Sequence, residues 1–309
     1  MQYLQNNTSH FRLGAWVRAA RIRTLPLAAA AVGMGNLLHW SNPGFRSSLM
    51  LLSVLTTLFL QILSNFANDL GDSIHGADHK DRKGPERAVQ SGEISRSGMR
   101  KAVLFFAVLS LASGISLLWL AFSNRPAAAL PLFVAGLISI AAAWFYTNGS
   151  RPYGYLALGD PAVFIFFGLL AVLGAAWLQV QQFSIAFFLP ASAMGFWSTA
   201  VMNLNNMRDV SSDKMAGKRT LAMILGLKAS VAYQIFLVTG GGICLLLFGL
   251  AQSALWVTGA VPGFLVMLKT LSVVLARPDE SKLDKLLKPQ AAGTFLAVLG
   301  MTLCRILFS

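Results

Sequence analysis

The 309-residue sequence is 55% hydrophobic and only 12% charged, with a mean hydropathy of +0.61. A soluble domain carries about 25% charged residues, so this composition excludes a disordered chain, a nucleic-acid-binding arm and an ordinary soluble enzyme. A polytopic membrane protein remains, and its net charge of +13 has to be read from where the charges lie, not as affinity for nucleic acid.

A bilayer crossing takes roughly 20 mostly apolar residues. In chain order, nine stretches qualify: Thr24–Trp40, Ser47–Leu70, Val103–Phe122, Ala127–Thr147, Pro161–Gln179, Ser184–Met207, Ser230–Leu250, Ala254–Ala276 and Gln290–Phe308. The first is short and rich in Ala and Gly, which predicts a helix packed inside the bundle. Lipid cannot satisfy an open backbone, so all nine are expected to be helices. The expected fold is all-α, a single integral membrane domain over residues 1–309. Met1–Arg23 is polar at its start and arginine-rich, and reads as a cytoplasmic tail without a cleavable leader. Cys244 and Cys304 both lie in apolar runs and are expected to pack as small hydrophobes, with no disulfide or metal spacing.

Nine crossings distribute the connecting segments alternately between two sides. One side holds residues 1–23, 71–102, 148–160, 208–229 and 277–289, and with them 21 of the 25 basic residues; Arg46, Arg125, Lys269 and Arg305 lie elsewhere. The positive-inside rule assigns the charged side to the cytoplasm. All 12 acidic residues belong to that side as well. Acids contribute little to orientation, so a face that gathers both signs points to a reaction or binding site at the cytoplasmic surface.

Two motifs carry the acids. The second stretch ends in Asn65, Asn68, Asp69 and Asp72, which share one helix face, with Asp78 and Asp81 following. The sixth ends in Asn205, Asn206, Arg208 and Asp209, followed by Asp213 and Lys218. Asn206, Asp209 and Asp213 are spaced i, i+3, i+7, again one face of a helix. Asn68-Asp69-x-x-Asp72 and Asn205-Asn206-x-x-Asp209 register at a shift of 137 residues, which suggests a weak internal duplication. Like charges at such spacing repel unless a cation lies between them. Hard oxygen ligands without neighbouring cysteine favour Mg²⁺ over zinc. Mg²⁺ usually completes its shell with water and substrate phosphate, so two acidic clusters on one surface suit a diphosphate. Arg82, Lys83, Arg87, Arg208, Lys218 and Arg219 lie in the same loops and add positive charge for phosphate. Tyr146–Asp160 is rich in Gly, Pro and Tyr and joins the fourth and fifth stretches. His75 and His79 read as solvated loop residues.

Gln61–Gln90, Tyr146–Asp160 and Asn205–Gly226 together resemble the UbiA superfamily of intramembrane prenyltransferases. They are closest to its branch acting on 1,4-dihydroxy-2-naphthoate in menaquinone biosynthesis. The five-residue gap between Asp72 and Asp78 matches that branch; Asp160 and Asn148 depart from its usual Glu and Gly. The resemblance implies nine helices around a central cavity with cytoplasmic cap loops, embedded in the lipid bilayer of the cell inner membrane. It implies that Asn68, Asp72 and Asp78 hold one Mg²⁺ and that Asp209 and Asp213 hold another, with Asp69 and Asn206 in support. Arg21, Arg151 and Lys218 would contact the diphosphate, with Tyr146 nearby. The implied substrates are a polyprenyl diphosphate and 1,4-dihydroxy-2-naphthoate, prenylated with loss of its carboxylate. Two alternatives stay open: another aromatic acceptor such as 4-hydroxybenzoate, and a cation or anion transporter, whose site would be expected nearer the bilayer midplane.

Overall fold

The computed structural model describes residues 13–75, 87–276 and 279–308, and helices account for nearly all of them. Asp78, His79 and Asp81 lie outside the described residues. The helices are α1 (Leu13–Ala19), α2 (Leu25–Leu37), α3 (Ser47–Ile74), α4 (Arg96–Phe122), α5 (Leu130–Phe145), α6 (Gly159–Val163), α7 (Ala171–Val180), α8 (Phe188–Arg208), α9 (Val210–Met215), α10 (Leu221–Ala251), α11 (Val261–Leu275) and α12 (Glu280–Leu307). A π-helical stretch, Phe164–Leu170, joins α6 to α7, so Gly159–Val180 forms one continuous crossing.

Eight helical stretches among the described residues are long and apolar enough to cross a membrane. The first sequence stretch differs. α2 has 13 residues, a length of about 20 Å at 1.5 Å per residue, shorter than the hydrocarbon core. Nine of those residues are buried, as its small side chains predict. The chain is a multi-pass membrane protein of all-α architecture.

α8 lies at the centre and packs against α2, α10, α12 and the π-helical stretch. Small residues let these helices approach closely, which is how packing replaces the hydrophobic effect between helices in lipid. A Cβ on Gly168 would lie 2.6 Å from the Gly195 Cα, and one on Gly35 would lie 2.2 Å from the Val172 carbonyl oxygen. Trp197 is fully buried in this centre and donates its indole N–H to the Val238 carbonyl.

The helices enclose a cavity of about 400 Å³. Arg21, Asn68, Tyr146, Asn205 and Lys288 line one end of it, and Leu117 and Leu178 the other. α5 packs on α3 and α4, with no comparable packing against the π-helical stretch or α7 among the described residues, although all of these elements line the cavity.

Candidate active site

The two acidic motifs meet through Lys218 at the end of the bundle where Asn68 and Asn205 line the cavity, while their carboxylates lie outside the cavity lining. α3 runs to Ile74, beyond the boundary at Leu70 that hydropathy suggests, and so keeps Asp69 and Asp72 in helical register at its end. Both are buried, at 2% and 1% exposure. The second motif is less regular than its spacing suggests. α8 ends at Arg208, the backbone leaves helical geometry at Asp209 (φ −94°, ψ 7°), and α9 resumes at Val210. The expected single face of Asn206, Asp209 and Asp213 is therefore interrupted, while the Asp213 N–H still donates to the Asp209 carbonyl at 2.8 Å.

Lys218 links the motifs. Gly217 (φ +69°) turns the chain after α9 in the left-handed conformation that glycine adopts without a Cβ penalty. The Lys218 Nζ then lies 3.0 Å from Asp72 Oδ1 and 3.6 Å from Asp213 Oδ1. Arg87 Nη2 lies 2.5 Å from Asp72 Oδ2, and its Nη1 donates to the Asn68 carbonyl at 3.0 Å. Tyr155 completes the group: its hydroxyl donates to Asp72 Oδ1 at 2.9 Å, and the Lys218 ammonium lies 4.8 Å from its ring centroid. Burial and the adjoining Asp72 carboxylate raise the Tyr155 phenol, and burial pushes Tyr153 up to about 12. Both therefore remain protonated donors at neutral pH. His75 is exposed, as a solvated residue should be, and its ring nitrogens also contact the Gly71 and Gly149 carbonyls while its ring lies against Tyr155.

Arg208 organises the second motif. It is 1% exposed. Its Nε and Nη2 donate to the two Asp209 oxygens at 2.7 Å each, Nη2 also donates to Asn205 Oδ1 at 2.8 Å, and Nη1 to Asp284 Oδ1 at 2.6 Å. Deeper in, Asn206 Nδ2 donates to Asp160 Oδ2 at 3.2 Å, and the Tyr146 hydroxyl lies against Gly159 and Met202.

The structure thus brings Asp69, Asp72, Asn68, Asn206, Asp209, Asp213, Lys218, Tyr146 and Arg21 to one end of the bundle. Arg21 lines the cavity in a left-handed conformation (φ +50°). Arg151 is exposed and is not among the residues lining the cavity. Asp284, on α12, carries no sequence signal that ties it to Arg208, because 76 residues separate them. Tyr155 reads in sequence as one of several interfacial tyrosines.

The donors suit a hard divalent cation. They are carboxylate, amide and phenol oxygens. Asp69 Oδ1 is buried with no hydrogen-bond donor among the described residues, and the Lys218 ammonium already places positive charge between Asp72 and Asp213. Among the described residues no three acidic, imidazole or thiol groups close a metal cage. Mg²⁺ needs none, since it binds through one or two carboxylates with water and substrate phosphate.

A family model for the UbiA prenyltransferase family matches residues 26–305. The chain belongs to the UbiA prenyltransferase family. It is 39% identical over 297 residues to an Escherichia coli (strain K12) protein named 1,4-dihydroxy-2-naphthoate octaprenyltransferase, covering 94% of this chain and 96% of the relative. A Haemophilus influenzae protein of the same name is 41% identical over 250 residues, covering 79% and 80%. Among solved structures, a UbiA homologue from Archaeoglobus fulgidus bound to DMAPP and Mg²⁺ superposes with a TM-score of 0.68, covering 96% of this chain and all of the other. At 17% identity that likeness shows the shared fold.

Proposed function

We propose that this chain transfers a polyprenyl group from polyprenyl diphosphate to 1,4-dihydroxy-2-naphthoate. The allylic C–O bond of the diphosphate breaks, a ring carbon of the acceptor forms the new C–C bond, and the acceptor's carboxylate leaves as carbon dioxide. The products are a demethylmenaquinol and diphosphate. The observation that carries this reading is the end-to-end identity with the Escherichia coli relative, at 39% across 94% of the chain, joined to two acidic motifs converging on Lys218. That convergence lies where α3 and α8 end, and a site at helix ends favours the transferase over a transporter, whose site is expected nearer the bilayer midplane.

Asn68, Asp72 and Asp78 would hold one Mg²⁺, and Asp209 with Asp213 the other, with Asp69 and Asn206 supporting them. Mg²⁺ bound there would supply Lewis-acid neutralisation of the diphosphate's negative charge. The chain's own groups do the rest. Lys218 and Arg87, already beside Asp72, supply the cationic charge that meets the phosphates, and Arg21 reaches them from the cavity wall. Leu and Ala are the commonest residues lining the cavity, with Phe133, Phe166 and Phe167 among the rest, and these apolar walls help keep water from an allylic carbocation. Tyr146 and Tyr153, also in the lining, offer aromatic surface to a bicyclic acceptor. The prenyl tail can leave sideways between α5 and α7, where packing is sparse. Arg151, exposed on its loop, is assigned to capture of the anionic substrate at the mouth. The positive-inside count assigns the motif loops to the cytoplasmic side of the cell inner membrane.

The test is a competition assay with one prenyl diphosphate and equal 1,4-dihydroxy-2-naphthoate and 4-hydroxybenzoate. Predominant prenylation of the benzoate would move the chain to another acceptor while keeping it a prenyltransferase.

A further inference from the structure

Asp284 lies near the start of α12 and has no part in the reaction as derived above. Its Oδ1 is 2.6 Å from Arg208 Nη1, and its side chain is 31% exposed whereas Arg208 is 1% exposed. Three further Arg208 N–H groups go to both oxygens of Asp209 and to Asn205. One buried guanidinium is therefore shared by two carboxylates: Asp209, which the reading above gives to a metal ion, and Asp284, on the rim of the bundle.

This arrangement has a thermodynamic consequence. A guanidinium bound through two parallel bonds to Asp209 competes with any divalent cation for the same oxygen lone pairs. Were Asp209 the only carboxylate beside Arg208, metal loading would strand an uncompensated buried cation, which is strongly unfavourable. With Asp284 in contact, Arg208 keeps a counter-charge when Asp209 turns to metal.

Resting on the Mg²⁺ reading above, we infer that Asp284 is a positioning residue for the second metal site, holding and neutralising Arg208 so that Asp209 can be released to a divalent cation. It acts through Arg208 and touches neither metal nor substrate. α12 thereby couples the C-terminal crossing to the occupancy of the Asp209–Asp213 motif.

The experiment uses the full chain in lipid nanodiscs, titrated with Mn²⁺ as a paramagnetic stand-in for Mg²⁺, with free Mn²⁺ read by EPR and melting temperature read in parallel. Asp284→Asn should weaken binding at one site about tenfold, the scale of one redistributed charge-assisted hydrogen bond, and Asp284→Glu should restore it. In an Arg208→Gln background the same Asp284→Asn change should alter the Kd by less than about twofold, since no guanidinium remains to be neutralised. A lowered melting temperature with unchanged Mn²⁺ affinity in Asp284→Asn would mean a purely structural role and overturn the inference. An undiminished loss in the Arg208→Gln background would also overturn it, because Asp284 would then act on the metal directly. Should Arg208→Gln not fold, Arg208→Lys replaces it. Lysine cannot hold both Asp209 oxygens through parallel bonds, so its Mn²⁺ affinity should exceed wild type, and an equal or lower affinity would count against the inference. A wild-type chain that binds no Mn²⁺ would overturn the metal reading itself, and this inference with it.

Discussion

Asp72→Asn is the sharpest single perturbation of the site, because it keeps the side chain's shape and removes only its charge. The Asp72 carboxylate is 1% exposed and meets Arg87 at 2.5 Å, Lys218 at 3.0 Å and the Tyr155 hydroxyl at 2.9 Å. Removing one partner of a buried ion pair typically costs about 3–5 kcal/mol. Here the cost should fall to about 2–3 kcal/mol, because the asparagine oxygen still accepts a hydrogen bond and Lys218 keeps Asp213 at 3.6 Å. Catalysis should suffer separately. Losing one group that stabilises transition-state charge costs roughly 10²–10³ in turnover, beyond any loss of folded protein. The assay is prenyl transfer per folded molecule, with the folded fraction taken from size exclusion and thermal shift, at saturating and at limiting Mg²⁺. The variant should show a lower melting temperature, at least about a hundredfold lower kcat and a raised Mg²⁺ requirement. Activity per folded molecule close to wild type at limiting Mg²⁺ would refute the assignment of Asp72.

Tyr155→Phe deletes the hydroxyl on Asp72 and keeps the ring under Lys218; it should lower kcat about 10-fold or more, the scale of one hydrogen bond to a charged group, with Tyr155→Ala losing more, both read by initial rates. Gly168→Val drives a side chain into the Gly195 backbone and should destabilise the bundle by about 1–3 kcal/mol, seen as a lower melting temperature in detergent without a change in KM for the folded fraction. Ser97→Cys and Lys214→Cys, both at exposed positions and made on a background lacking Cys244 and Cys304, should resist an impermeant thiol reagent in intact cells and label in inverted vesicles.

The membrane-spanning helices were legible because a bilayer demands long apolar runs, and no other signal in this sequence competes with them. α2 shows the limit of that reading: hydropathy marks Thr24–Trp40, but the helix itself is 13 residues. Its small residues, which let it pack in the interior, foretold its burial better than its length foretold a crossing. The acidic motifs were legible from spacing, but the pairing of Lys218 with Asp72 and Asp213 was not, because the sequence reading gave Lys218 to phosphate. Two further features were not. The break at Asp209 leaves the local sequence helical in composition, so periodicity carries through it. The Arg208–Asp284 contact joins elements 76 residues apart, and no local pattern encodes such a pair. Arg151 illustrates the converse: its residue type and loop suit phosphate, yet its side chain is exposed and is not part of the cavity lining.

The central claim is that two acidic motifs serve prenyl transfer to a naphthoate. It is tested most directly by incubating the purified chain in lipid with a polyprenyl diphosphate and 1,4-dihydroxy-2-naphthoate carrying a labelled carboxylate. Product mass and released label are then followed with and without EDTA. The account predicts a prenylated naphthoquinol that has lost its carboxylate, labelled carbon dioxide in equal amount, complete loss of both with EDTA, and their return with Mg²⁺. A folded, lipid-embedded chain that yields neither product nor label with Mg²⁺ present, or that yields both undiminished in EDTA, would contradict it.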